Sequence, residues 1–354
     1  MQWWNRLQER AEKKLPKAIY DFIAGGADDE TTVNDNITAF QQLKMIPRVL
    51  IGNEQADTQI SLLGASFPSP IIIAPTAPHK LVHEAGEIAT VKAAGTTDTL
   101  MIVSCMGSET LENIALQASS NLWLQLHIFR DRNVTYNIVK RAENAGYKAL
   151  VVTVDMPIVG NRLRDINNKF KIPNDCFAAN LLQENLIEAD NPSTLITKHT
   201  NNLFDSQVSW DDVRLLISKT NLPVFLKGIL HSKDARKAIE IGAQGIIVSN
   251  HGGRQLGQVI PTIHALPSVL DAVDSKIPVL MDGGIRSGVD ILKALLLGAN
   301  GVLIGRPILW GLATGGVEGV AGVIGQLNRE LKQVMMLCGV SSLDNRDRSQ
   351  IVVI

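Results

Sequence analysis

Eight short, β-branched apolar runs recur along this chain of 354 residues, and each closes on small or polar residues. They are PIIIAPTA (70–77), TLMIVSC (99–105), LWLQLHI (122–128), ALVVTVD (149–155), PVFLKGI (223–229), GIIVSN (245–250), PVLMDGG (278–284) and GVLIGRP (301–307). Continuous apolar runs of this length suit strands buried on both faces, the state of a parallel sheet covered by helices. Amphipathic stretches such as NVTYNIVKRAENAGYK and SKDARKAIEIGAQ separate most of them, each with a glycine near its C-terminal stop. Strand, helix, strand, eight times over, predicts an α/β fold, a (β/α)8 TIM barrel. A doubly wound open sheet is the rival, but no GxGxxG follows the first run.

The chain reads as one domain over 1–354: a helical lead-in at 1–69, barrel strands within 70–307, and C-terminal helices over 308–354. The regular spacing fails once, between Asp155 and Pro223, where an Asn-rich polar insertion at about 170–210 reads as a lid-like loop or a small exposed subdomain. Hydrophobic residues make up 45% of the chain and charged ones 19%, which excludes disorder and leaves a large core to bury. A net charge of -1 without any basic block argues against nucleic acid or an anionic membrane as partner and favours a small molecule. Cys105, Cys176 and Cys338 lack metal or disulfide spacing, so no metal site is expected and a reducing, cytoplasmic setting is. No signal peptide, and no run of about 18 apolar residues long enough to span a bilayer, is apparent.

Barrel enzymes gather their chemistry where the strands end, so the polar residues closing each run carry the information. Here those are Thr76, Ser104, Gln125 with His127, Thr153 with Asp155, Lys227, Asn250 with His251, Asp282 and Arg306. A lysine inside PVFLKGI needs an anionic partner and faces either a ligand or the strand end. DGGIR (282–286) and IGRP (304–307) follow the last two strands, where glycine N–H groups, a helix N-terminus, Arg286 and Arg306 suit a phosphate. SNHGGRQL (249–256) offers His251 as a general base and Arg254 as a fork for a carboxylate. In VDMPIVGNRLRD, Asp155 is placed to orient His251 and Arg162 to pair with a carboxylate, while Arg164 and Asp165 read as a surface ion pair.

With LPKAIYDFIAGGA, APTA, QLHIFRDR, VTVDMPIVGNR, LKG, SNHGGRQL, MDGGIRSG and LIGRP in hand, the chain resembles the FMN-dependent α-hydroxy acid oxidase/dehydrogenase family. The likeness runs from residue 15 to the end, and SNHGGRQL combined with the two Gly/Arg turns is highly specific. The resemblance implies FMN across the barrel mouth, its ring near Pro75, Thr76 and Ala77 and its polar edge bonded by Ser104, Gln125, Thr153 and Lys227. It implies ribityl and phosphate contacts from Asp282, Gly283, Gly284 and Arg286, completed by Gly305 and Arg306. His251, backed by Asp155, would be the base for a 2-hydroxy acid whose carboxylate Arg162 and Arg254 grip, with O2 or another acceptor reoxidising the flavin. Family members are commonly homotetramers, and GVLIGRPILWGLATGGVEGV is expected to offer apolar helical surface between subunits.

Two departures stand out. Phe22 occupies a position where glycolate- and lactate-type members carry a tyrosine and is shared with hydroxymandelate-type members, whereas His127 stands where the family usually has a tyrosine. Met106 stands where small-substrate members often carry Trp, which implies a roomier substrate pocket than lactate needs. The alternatives are an FMN-binding protein with altered or lost oxidase activity, an oxidase of a modified or carrier-tethered hydroxyacyl intermediate, and another FMN barrel such as a type II isopentenyl-diphosphate isomerase.

Overall fold

A computed structural model describes residues 2–52, 54–184 and 203–354. All eight expected runs form strands: Ile71–Ile73, Met101–Ser104, Leu122–Leu126, Leu150–Thr153, Val224–Ile229, Gly245–Val248, Val279–Met281 and Gly301–Ile304. They pair in parallel and in chain order, and the last pairs with the first to close the barrel. Nearly every residue in these strands is buried, because side chains point alternately into the barrel and onto the surrounding helices. The (β/α)8 barrel is therefore the fold.

Register decides what the barrel mouth presents. Ser104 lies opposite Gln125 and Thr153 opposite Lys227, which brings the polar strand ends into neighbouring positions of one layer. The strand Val224–Ile229 shifts register after Lys227, at Gly228, whose φ is +114°. A Cβ on Gly228 would lie 2.5 Å from the Asp155 Cβ, so only glycine lets the two strand ends approach this closely.

Four expectations need correction. The lead-in is not helical throughout: after helices Trp3–Lys14, Lys17–Ala24 and Thr31–Thr38 come the strand Leu43–Met45 and the hairpin Ile60–Leu62/Ala65–Phe67. Nor is the C-terminal part purely helical, since Ile351–Val353 pairs antiparallel with Leu43–Met45 and ties the two ends of the chain together. The helix Arg306–Cys338 has the length and apolarity of a membrane span, but 56% of its most apolar window is buried and its backbone breaks at Gly315 and Gly316. For the same reason its apolar residues, among them Ile308, Trp310, Leu312 and Val320, are core and not free surface for a neighbouring subunit. Of the insertion at 170–210, the flanks are described: Ala179–Gln183 forms a short helix, and buried Asn180 accepts from Leu111 N and donates to Cys105 O. Residues 185–202 of the expected lid lie outside the described residues.

Candidate active site

Two contiguous cavities, of about 170 and 200 Å3, open at the C-terminal ends of the strands. The first is lined by Pro75, Ala77, Ser104, Met106, Gln125, His127 and Thr153; the second by Thr76, Arg254, Asp282, Gly283, Gly284, Arg286, Gly305 and Arg306. Phe22, Pro75, Ala77, Arg162, Lys227 and His251 border both. Of the site residues expected from sequence, only Asp155 lines neither, because it stands behind His251.

His251 sits in a left-handed backbone conformation (φ +57°) in the turn after Gly245–Val248, which swings its ring back over the barrel mouth. Its Nδ1 lies 2.9 Å from Asp155 Oδ1. An ionised carboxylate only accepts, so Nδ1 carries the proton and the Nε2 lone pair is free for a ligand. Burial pushes the imidazole below its ordinary value, and Asp155 opposes that shift without cancelling it. Burial pushes the Asp155 carboxyl up, but the charge and hydrogen bond of His251 outweigh it and hold the group ionised.

Lys227, only 5% exposed, donates to Ser249 Oγ at 2.8 Å and pairs with Asp282 Oδ2 at 3.1 Å. Burial works against its charge, but Asp282 and Asp155 hold its value above the ordinary range. Ser249 Oγ also accepts from the His251 backbone N–H at 3.0 Å, so one hydroxyl couples the lysine to the histidine turn. Nothing in the residue pattern singled out Ser249; its role exists only because two strands are adjacent. Next to Lys227, Ser104 Oγ donates to Gln125 Oε1 at 2.8 Å, and Gln125 Nε2 donates to Thr153 Oγ1 at 2.9 Å.

The second cavity concentrates positive charge. Arg162, Arg254, Arg286 and Arg306 have no carboxylate partner among the described residues, and burial lowers all four from their ordinary values. Arg162 falls to about 9, through burial and then the nearby Arg254; Arg286 falls to about 10 through burial. Arg306 donates to the carbonyls of Ile23, Gly252 and Gly25, while Arg254 donates to those of Phe22 and Gly25 and lies 5.0 Å from the Phe22 ring centre. Both cations thus meet the negative end of the helix Lys17–Ala24, which fastens the N-terminal segment over the site. Arg286 is held between the rings of Trp4 and Trp310 at 5.8 and 5.2 Å. Sequence reasoning missed the tryptophans because Trp4 lies in the first helix, far from any barrel strand, and Trp310 lies in an apolar stretch expected to be subunit surface. Arg164 pairs with Asp21 and Glu30 and not with Asp165, so the surface pair expected there is absent.

Arg286 Nε and Asp282 Oδ1, which border the second cavity, are buried without a protein partner, as are Asp155 Oδ2 and Trp310 Nε1 beside them. Buried polar groups are rarely left so, and unpaired buried cations still less, unless a ligand completes them. A phosphate-bearing cofactor with hydroxyls along its chain meets both needs. Residues 11–353 match the profile of the FMN-dependent dehydrogenase family.

The chain belongs to that family.

It is 45% identical to the peroxisomal (S)-2-hydroxyacid oxidase GLO4 of Arabidopsis thaliana over 98% of this chain and 95% of that one. It is 44% identical to the L-lactate oxidase of Nostoc sp., covering 97% and 95%. Among solved structures, mandelate oxidase with (S)-4-hydroxymandelic acid superposes with a TM-score of 0.93 at 39% identity, covering 98% and 97%. The protein is an FMN-dependent oxidoreductase, and the polar edge at Ser104–Gln125–Thr153, Lys227 and the arginine-lined cavity fit FMN.

The arginine cluster gives a direct expectation. Apoprotein should bind FMN at least 100-fold tighter than riboflavin, because only FMN brings the phosphate that relieves Arg286 and Arg306, cations without a carboxylate partner among the described residues. Arg286→Leu should shrink that preference to within about tenfold, the scale of one charge-assisted contact. Titrations followed by flavin fluorescence measure both ratios.

Proposed function

We propose that the protein oxidises an L-2-hydroxy acid larger than lactate, with a hydroxymandelate-like or similarly bulky side chain, to the 2-oxo acid, with O2 as acceptor and hydrogen peroxide as the second product. The observation that carries this reading is the placement of His251, with its Nε2 free, on the same cavity as the half-buried Arg162, which has no carboxylate partner among the described residues. When bound, FMN accepts the two electrons removed from the α-carbon. Arg162 and Arg254 bind and orient the carboxylate, and His251 Nε2 takes the proton of the substrate while Asp155 steadies the imidazolium. Lys227, Ser104, Gln125 and Thr153 hold the polar edge of the flavin ring; Asp282, Gly283, Gly284, Arg286, Gly305 and Arg306 hold its ribityl phosphate.

The apolar lining of the first cavity supports a bulky side chain. Met106, Met156, Ile172, Phe177, Ala178 and Phe204 form it, and several come from the described flanks of the 170–210 insertion. Phe22 stacks on Phe170 at 4.8 Å and offers the substrate no hydroxyl. The relatives named as lactate, 2-hydroxyacid and mandelate oxidases support the hydroxy acid.

One observation favours a second reading, an FMN protein with altered activity. His127 stacks on Phe204 at 4.2 Å and is pushed down to about 3, first by burial and then by His251, so it is neutral in the site. It offers the substrate one donor and one acceptor where the family resemblance implies a phenol.

Anaerobic mixing of the holoenzyme with a panel of 2-hydroxy acids separates the two. Loss of the oxidised flavin absorbance with an aryl or long-chain acid, faster than with lactate, is expected. A yellow protein bleached by no acid in the panel favours the second reading. Peroxide formed on readmitting air tests the acceptor.

The cytoplasmic setting and the homo-oligomer belong to this proposal as well. Three free, buried thiols support a reducing compartment, whereas the Arabidopsis relative is named peroxisomal. Ile46, Val49, Leu50, Leu337, Val353 and Ile354 are exposed and apolar, which supports association of subunits. Light scattering that returns the mass of a tetramer is the expected result.

A further inference from the structure

A third cavity, of about 300 Å3, lies behind the first. His127, Thr153, Met156 and Phe204 face both, so the wall between them is one side chain thick. Its principal component is the stacked pair His127–Phe204, and Phe204 leans in turn on Phe129 at 5.5 Å. The body of this rear chamber is apolar, with Ile128, Val154, Val208, Trp210, Val213 and Ile229, and its far rim carries the exposed Ser206, Ser209 and Asp234.

We propose that the rear chamber is the binding site for the distal part of the substrate's side chain, which enters when Phe204 swings off His127. The inference rests on the oxidation of 2-hydroxy acids proposed above and narrows their class: acids with an alkyl or arylalkyl side chain too long for the front cavity. The chemistry of the two chambers divides accordingly. The front cavity carries the base and the cationic clamp, which hold the carboxylate and the α-carbon. Among the described residues the rear chamber carries no arginine or lysine; its carboxylates are Asp205, paired with Arg132, and Asp234 at the exposed rim, so the body of the chamber discriminates by apolar area and length. Its polar rim lets the tip of a long chain reach water, which sets no upper limit on length but rewards each methylene held inside.

Phe204 is suited to be the movable part. It follows the insertion, joins the barrel backbone among the described residues through an isolated bridge to Phe129, and its buried ring rests on those of His127 and Phe129, while the next residue, Asp205, is anchored by Arg132. His127, by contrast, extends directly from the strand Leu122–Leu126 and is fixed by the barrel.

The test reads binding and so does not depend on turnover. Holoenzyme is titrated with 2-oxo acids from pyruvate to 2-oxodecanoate, and the perturbation of flavin absorbance gives Kd at each length. Once the chain outgrows the front cavity, Kd should fall by up to about fourfold per added methylene, the worth of a methylene moved out of water. Val208→Trp, which fills the rear chamber, should abolish at least tenfold of the preference for 2-oxodecanoate over pyruvate. Ser206→Trp, at the exposed rim, is the second variant should the buried tryptophan impair folding, and it should lower the same ratio. Phe204→Ala should raise the preference by at least threefold. A Kd that does not improve with length in the wild-type enzyme, or a ratio that survives both tryptophans, overturns the chamber. Failure of the underlying reading looks different: the chain-length dependence of Kd persists, but no 2-hydroxy acid of any length bleaches the flavin.

Discussion

His251→Gln is expected to lower kcat for every 2-hydroxy acid by about 10²–10⁴-fold, the usual contribution of a positioned general base, while FMN stays bound with an unchanged visible spectrum. No other group in the front cavity can take over. His127 is the only other imidazole there among the described residues, and at about 3 it is too weak a base to hold a proton near neutrality. Asp155 already accepts from His251 and stands behind it, away from the cavity. The pH dependence follows with its sign. Turnover needs the imidazole unprotonated, so kcat/KM of the wild type should fall as pH drops through the His251 value, which burial places below the ordinary 6.5. Asp155 raises that value, so Asp155→Asn should move the acid limb to still lower pH as well as reduce kcat. A limb above 6.5 would show that Asp155 outweighs burial at His251, and full activity in His251→Gln excludes His251 as the base. Stopped-flow reduction of the flavin across pH provides both measurements.

Arg162→Met is expected to cost about 2–5 kcal/mol in transition-state binding, or roughly 30- to 5,000-fold in kcat/KM for a free hydroxy acid, since it removes one partner of a charge pair that bound substrate shields from water. The guanidinium earns this through its setting. Burial and Arg254 push it down to about 9, yet it remains a cation at neutral pH, held by the Arg254 carbonyl at 3.3 Å and Gln255 Oε1 at 3.2 Å. Neither partner carries charge, so the carboxylate of a substrate is what neutralises it. The same reasoning sets a control: without ligand, the charged form is disfavoured by burial, so the methionine variant of the apoprotein should melt no lower than wild type. Lost activity with unharmed stability identifies a substrate clamp. Retained activity points instead to an esterified or carrier-tethered substrate that has no free carboxylate.

Much of this protein is legible in its residues. The eight apolar runs fall where the barrel strands lie because a strand buried on both faces has no polar position to spare, and such runs are hard to mistake. The polar residues closing those runs are also legible, because a barrel offers only one end at which they can converge. What misled were segments whose apolar residues have two possible destinations. The helix Arg306–Cys338 reads as surface for another subunit, yet it packs on its own barrel. Arg164 reads as the partner of its neighbour Asp165, yet it reaches Asp21 and Glu30 on a segment more than a hundred residues earlier.

The sequence by itself determined the barrel, which follows from local pattern, and through the resemblance its motifs carry it pointed to the flavin family and to candidate site residues. The tertiary structure alone decided how those residues are paired. It set Asp155 behind His251 across the opening left by Gly228, joined Lys227 to His251 through Ser249, and stacked His127 on Phe204 so that a second chamber lies behind the first. Each of these depends on the register between strands or on the return of a distant segment, and a contact across the fold leaves no periodicity in the chain that makes it.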